Sequence, residues 1–295
     1  MGQCLAAELV DRGVIEVAGA EARRLLQGLV TNDIETARDG RAIFAGLLTP
    51  QGKILFDFFL VPKGDGFLVE APKASLGELL KRLNFYRLRA AVEIKEAPLK
   101  GVACWGGEPK VVEGAIAFVD PRAPELGTRV LAPQELSLDK IGCGSAREND
   151  YHAMRIAQGV PEGGRDYQYG DAFPHEALFD QLHGVDFKKG CFVGQEVVAR
   201  MEHRGTARKR LIPVEGDRQL PAIGSDVLAG DTVVGSLTSI DGRLGLASLR
   251  LDRVEQAYEA GETLRAGEAT LSLRRPGWLT LALPSPRVTA PRATY

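Results

Sequence analysis

Residues 43–61 read IFAGLLTPQGKILFDFFLV, two apolar runs flanking a Thr49-Pro50-Gln51-Gly52 turn. Pro and Gly punctuate turns, so Ile43–Leu48 and Lys53–Val61 are expected to pair as a β-hairpin. Upstream, GVIEVAG at 13–19 alternates like a short strand. Ala20–Val30 then places Ala22, Leu25, Leu26 and Leu29 at helical spacing and closes on the polar Thr31-Asn32-Asp33. Further on, Phe67–Glu70 reads as a strand. Ser75–Leu88 reads as a helix with Leu76, Leu79, Leu80 and Leu83 on one face, and Ala91–Lys95 and Gly101–Cys104 as strands. Strands with turns are expected over 106–150, a helix over Asp150–Ala157 and a polar loop over Gly163–Phe173. From Arg204-Gly205 onward, short apolar runs are broken by glycine at the spacing of a small antiparallel barrel or sandwich. Strand and helix signals are mixed without steady βαβ alternation, which predicts an α+β fold.

At 295 residues the chain has room for about two domains. The expected division is 1–205, then a C-terminal β-domain over 206–284, then a Pro-, Arg- and Thr-rich tail over 285–295 that is expected to be mobile. Net charge is −2, whereas a non-specific polyanion binder is normally basic, so direct tRNA binding is disfavoured. Nowhere do 18 apolar residues run together, so no transmembrane helix is expected. The first residues lack a signal-peptide pattern, and Ala6 fails to complete a myristoylation motif after Met1-Gly2. Cys4, Cys104, Cys143 and Cys191 are widely spread and form no C-x-x-C pair. That argues against a disulfide framework and a self-contained zinc site, and for a reducing, cytoplasmic setting.

Cys191 sits in FKKGCFVGQE, residues 187–196, directly before a segment that reads as a helix over Gln195–His203 ended by Gly205. A helix N-terminus and the neighbouring Lys188 and Lys189 favour thiolate over thiol, and Gly190 and Gly194 permit close approach of a ligand. Cysteine is nonetheless among the most buried residue types, and local chemistry alone leaves packing the stronger reading. No base is fixed against the sulfur, and one cysteine cannot complete a metal site without other ligands.

Three further groups stand out. Asp57 interrupts the apolar strand ILFDFFLV, where a buried charge needs a partner or a task. Glu176 and Asp180 in FPHEALFDQL are four apart and would share a face if that segment is helical. Arg200, His203, Arg204, Arg208, Lys209 and Arg210 make a basic cluster that is either a solvated face or a phosphate, carboxylate or RNA site.

FKKGCFVGQEVVARMEHRG resembles the K-G-C-[YF]-x-G-Q-E signature of the bacterial YgfZ family, folate-binding proteins related to the aminomethyltransferase T-protein of glycine cleavage. LLQGLVTNDI, LLTPQGKILFDFFLV, and RIAQGVPEGG followed by FPHEA extend the likeness over most of residues 9–285. The resemblance implies a three-lobed α+β ring with a central tetrahydrofolate channel and a terminal β-barrel. It implies a role in maturing or repairing iron–sulfur enzymes, among them a radical enzyme that thiomethylates tRNA, and partners that are such enzymes or cluster carriers. Mitochondrial relatives of that family act late in [4Fe–4S] assembly. The sensitive cysteine maps onto Cys191, with Lys189, Gly190, Gly194, Gln195 and Glu196 completing the signature. Cys191 is then a functional thiol or a ligand to an iron–sulfur cluster shared with a partner. Asp57 matches the T-protein carboxylate at the reactive part of folate, and Glu176 matches the Glu of its P-x-E-A. The T-protein Glu of R-x-E-x-G falls on Ala157, which weakens the alternative reading, a folate-dependent one-carbon transferase with Asp57 as acid/base. Within a folate channel, Glu176 is expected at the pterin, Asp57 at the reactive edge, and Arg200 or Arg204 at the anionic tail.

Overall fold

The computed structural model describes residues 3–205 and 207–286; Met1-Gly2 and the expected tail from 287 lie outside the described residues. In chain order, β1 (Leu5–Leu9) and β2 (Arg12–Ala18) lead to α1 (Ala22–Gln27), followed by β3 (Ile43–Leu48), β4 (Ile54–Lys63), β5 (Gly66–Pro72) and α2 (Lys73–Arg87). Next come β6 (Glu93–Ala97), β7 (Leu99–Trp105), β8 (Ile116–Val119), β9 (Thr128–Pro133), β10 (Gly144–Ser145), α3 (Glu148–Ala157) and α4 (Gln195–Arg204). The C-terminal part holds β11 (Lys209–Gly216), β12 (Asp226–Ala229), β13 (Thr232–Asp241), β14 (Leu244–Arg250), α5 (Leu251–Glu259), β15 (Leu264–Ala266) and β16 (Ala269–Leu273).

These strands build two five-stranded sheets, β3-β4-β5-β2-β6 and β10-β1-β7-β9-β8, and a closed barrel β11-β14-β13-β12-β15-β16. The expected hairpin forms as β3 and β4, with Gly46 opposite Asp57 and the Thr49 N–H bonded to the Lys53 carbonyl. α2 buries Leu76, Leu79 and Leu83, each leucine contributing roughly 1.5–3 kcal/mol. The barrel closes because β11 pairs with β14 on one side and β16 on the other, leaving no open edge. The mixed α+β class with a terminal antiparallel barrel is therefore as the sequence predicts.

Two expectations fail. FPHEALFDQL is a chain of turns, because Leu178 takes a left-handed φ of 61° and breaks the helical run. Glu176 and Asp180 consequently share no helix face: Glu176 Oε2 accepts from the Phe173 N–H at 2.9 Å, while Asp180 pairs with Arg210 at 2.7 Å. Second, Cys4 and Cys143 form a disulfide. Leu5 pairs with Gly144 in the parallel β1–β10 ladder, so strand register sets the preceding residues side by side across a separation of 139. Sequence spacing cannot show such a pairing.

Candidate functional site

Cys191 is free and exposed, which removes the packing reading. Its loop is rigidly anchored on both sides. Upstream, Asp186 Oδ1 accepts the backbone N–H groups of Lys188 (2.7 Å) and Lys189 (3.2 Å), closing a tight turn. The Thr31 hydroxyl donates to the Gly184 carbonyl at 2.6 Å, and Asn32 Nδ2 donates to the His183 carbonyl at 2.6 Å. Lys189 then turns inward, donating from Nζ to the carbonyls of Gln27, Val30 and Asn32 at 2.8, 2.7 and 2.9 Å. Burial pushes this ammonium down to about 8, against the raising influence of Asp33 and Asp186. The segment that closes α1 is thus the clamp for the cysteine loop.

Downstream, Gly194 has φ 81° and directly precedes α4. A Cβ there would lie 2.5 Å from the Thr49 carbonyl oxygen and 3.0 Å from the Gly52 Cα, so backbone meets backbone at the hairpin turn. Phe192 is buried between these anchors, with the Lys189 ammonium 5.5 Å from its ring centre. Gly190 has open space around it, as a ligand-facing position requires. Glu196 is exposed, and Gly205 ends α4 in the left-handed conformation. A cavity of about 690 Å³ adjoins the loop, lined in part by Arg41, Phe44, Asp120, Phe187 and Lys188.

Asp57 is buried on β4, and both its oxygens are taken: Tyr169 donates to Oδ1 at 2.9 Å and Tyr167 to Oδ2. Burial and the Asp57 charge raise both phenols, so they stay protonated donors. Gly163 closes the same corner, since a Cβ there would overlap the Tyr169 hydroxyl and Asp57 Oδ2. Beside it runs a buried ionic seam between the two sheets. Glu70 Oε1 accepts from Arg12 at 3.2 Å and Arg129 at 3.0 Å, and Asp120 pairs with Arg122 at 2.8 Å and Arg129 at 3.3 Å. The guanidinium groups of Arg12, Arg122 and Arg129 lie 5.8, 5.0 and 5.0 Å from the Phe59 ring centre. Burial opposes the charge of Asp120, but Arg122 and Arg129 outweigh it and hold the carboxyl below its ordinary range.

The four residues expected to hold tetrahydrofolate come from three different segments: β4, the turns around Glu176, and α4. Asp57 is enclosed by the tyrosines and Gly163. Glu176 borders a cleft of about 460 Å³ between the Gly163–Phe173 loop and the barrel, which Tyr167 also lines. Arg200 and Arg204 are exposed on α4. The basic cluster is also divided, because Arg210 is buried against Asp180 and the His175 carbonyl.

The fold resembles that of the glycine cleavage aminomethyltransferase T from Bartonella henselae, with a TM-score of 0.75 at 14% identity over 96% of this chain and 88% of that one. Residues 208–281 match the family model described as the CAF17 C-terminal beta-barrel domain. The human mitochondrial iron–sulfur cluster assembly factor IBA57 is 34% identical over 276 residues, covering 84% of this chain and 78% of that protein. The chain belongs to the IBA57 family. The mouse IBA57 is 33% identical with the same coverage. A Neurospora crassa homolog is 33% identical over 229 residues, of which the match spans about half (52%).

These IBA57 relatives are named as mitochondrial. That overturns the cytoplasmic placement expected from the sequence. Charge balance and sparse cysteines are compatible with either compartment, so they could not have decided it. In this IBA57-family chain, sequence reasoning missed Tyr167 and Tyr169 at Asp57 and the whole Arg12–Glu70–Arg129–Asp120–Arg122 seam. The signal that found Asp57 also existed for Glu70 in FLVEAP and Arg129 in TRVLAP, charges standing within apolar strands. The clamp role of Lys189 left no local signal, because its acceptors lie about 160 residues earlier.

Proposed function

We propose that this chain is an accessory factor for assembly or repair of iron–sulfur enzymes, and that Cys191 is the thiol through which it shares a cluster with a partner. The observation that carries the reading is a free, exposed cysteine on a loop pinned by Lys189 on one side and Gly194 on the other. Iron–sulfur clusters are held by several thiolates, so one sulfur presented on a rigid surface loop suits a cluster completed by ligands from a second protein. Rigidity matters because a ligand already in place loses little freedom on binding. Membership of a family of cluster assembly factors supports the same role. The partners are then cluster carriers or client iron–sulfur enzymes, including a radical enzyme that modifies tRNA by thiomethylation. No folate-dependent step is proposed, since both oxygens of Asp57 already accept from the Tyr167 and Tyr169 phenols.

The test pairs the purified chain with an iron–sulfur carrier protein loaded with cluster. The mixture is resolved by size exclusion and scored for iron and for cluster absorption. The parent chain is expected to form a complex that holds iron. Cys191→Ala is expected to lose it while keeping its fold. An alanine variant that holds iron as well as the parent sinks the thiol's role.

A further inference from the structure

A second cluster of polar groups lies away from the cysteine loop. The turn between β1 and β2 carries Asp11, α3 begins at Glu148, and His152 follows one turn later on the same helix face. One oxygen or nitrogen from each of these three lies within 4.8 Å of the other two. The Asp11 N–H donates to Glu148 Oε1 at 3.4 Å, which holds the turn against the helix.

The His152 side chain is only 9% exposed, and its Nε2 has no hydrogen-bond partner among the described residues. Its Nδ1 faces Glu162 Oε2 at 3.3 Å, which leaves Nε2 as the unmatched nitrogen. Asp11 Oδ1 is likewise buried without a partner, while its other oxygen accepts from Arg165 at 2.9 Å. Burying a polar atom without a partner is costly, and an imidazole nitrogen and an Asp11 oxygen left unmatched in one cluster call for a ligand.

Charge balance favours a cation. Glu162 is matched by Arg155 at 3.4 Å, Arg165 at 3.6 Å and Arg12 at 3.9 Å. Glu148 has no lysine or arginine within ion-pair distance among the described residues, and it faces the Asp11 carboxylate. A cleft of about 440 Å³ reaches His152 from solvent between α3 and β13, lined by Asn149, Ala153, Arg165, Thr238 and Asp241.

We propose that Asp11, Glu148 and His152 bind one divalent transition-metal ion through one carboxylate oxygen each from Asp11 and Glu148 and an imidazole nitrogen. One nitrogen and two carboxylate ligands suit zinc and its first-row neighbours, whereas magnesium and calcium prefer oxygen alone. Water entering by the cleft fills the remaining coordination positions. The site uses no residue of the Cys191 loop.

Calorimetric titration of the metal-stripped full chain with Zn²⁺ tests this, in a Cys191→Ser background so that the exposed thiol cannot compete. One ion per chain is expected. Glu148→Gln keeps the acceptor for the Asp11 N–H and is expected to weaken binding roughly tenfold or more, as is Asp11→Asn. Titration with Co²⁺ adds a second readout: visible bands that change in His152→Gln identify an imidazole ligand. Absence of Zn²⁺ binding by the folded background chain overturns the proposal. So does unchanged affinity in the folded Glu148→Gln and Asp11→Asn variants.

Discussion

The Lys189 ammonium sits 2.7 Å from the Val30 carbonyl, just beyond the end of α1 and two residues before the exposed Cys191. With the Gln27 and Asn32 carbonyls it completes a three-acceptor socket, so the residue beside the thiol works as an anchor rather than as a free surface charge. Lys189→Met leaves those carbonyls unmatched and is expected to destabilise the chain by about 1–3 kcal/mol in urea denaturation. The pH dependence has a definite sign. Burial lowers the folded-state value to about 8 from 10.5, so between these values the unfolded chain binds more protons than the folded one. The penalty of the buried charge is therefore complete below about pH 8, and stability rises as pH climbs towards 10.5. This slope should vanish in Lys189→Met, and its persistence there would assign it to another group.

The cysteines should separate by reactivity. Cys191 is exposed, so a maleimide is expected to label it in the native chain. Cys104 is fully buried, and burial pushes its thiol up to about 11, so it should react only on unfolding. Cys4 and Cys143 should react only after reduction, which opens a loop of more than a hundred residues and is expected to cost about 4–5 kcal/mol. Peptide mass mapping of native, reduced and unfolded samples checks all three. Native labelling at Cys104 would contradict the packing described.

Glu70 joins Arg12 to Arg129 across the two sheets with no exposure to solvent. Glu70→Gln leaves both guanidinium groups without their shared carboxylate, and breaking a buried pair in this way costs about 3–5 kcal/mol. The midpoint of urea unfolding is expected to fall accordingly. A loss below 1 kcal/mol would show that Asp120 and Glu162 carry the balance instead.

Gly163 has no room for a methyl group beside the Tyr169 hydroxyl and Asp57 Oδ2. Gly163→Ala is expected to push the tyrosine loop away from Asp57 and cost about 1–3 kcal/mol by overpacking. Tyrosine fluorescence and thermal melting should both change. A variant as stable as the parent would mean that the loop moves freely.

Elements built on near neighbours could be read from the sequence. The hairpin around Thr49–Gly52, the leucine face of α2 and the glycine-punctuated strands of the barrel all follow from local periodicity and turn chemistry. α1 is shorter than its apolar spacing suggests because Leu29 and Val30 leave the helix, and Val30 bridges to Leu47 instead. The i,i+4 spacing of Glu176 and Asp180 is equally local, yet the segment is not helical, since Leu178 takes a left-handed φ of 61°.

The sequence by itself determined the α+β class, a terminal antiparallel β-domain, the signature around Cys191 and the oddity of a charge at position 57, because each is written in adjacent residues. The tertiary structure alone decided that Cys191 is exposed, that Lys189 reaches back to residues 27–32, and that Cys4 meets Cys143. It also decided which tyrosines cap Asp57 and which arginines face Glu70. These contacts join residues tens to more than a hundred positions apart, and such meetings are set by strand register and sheet packing, which no local pattern encodes.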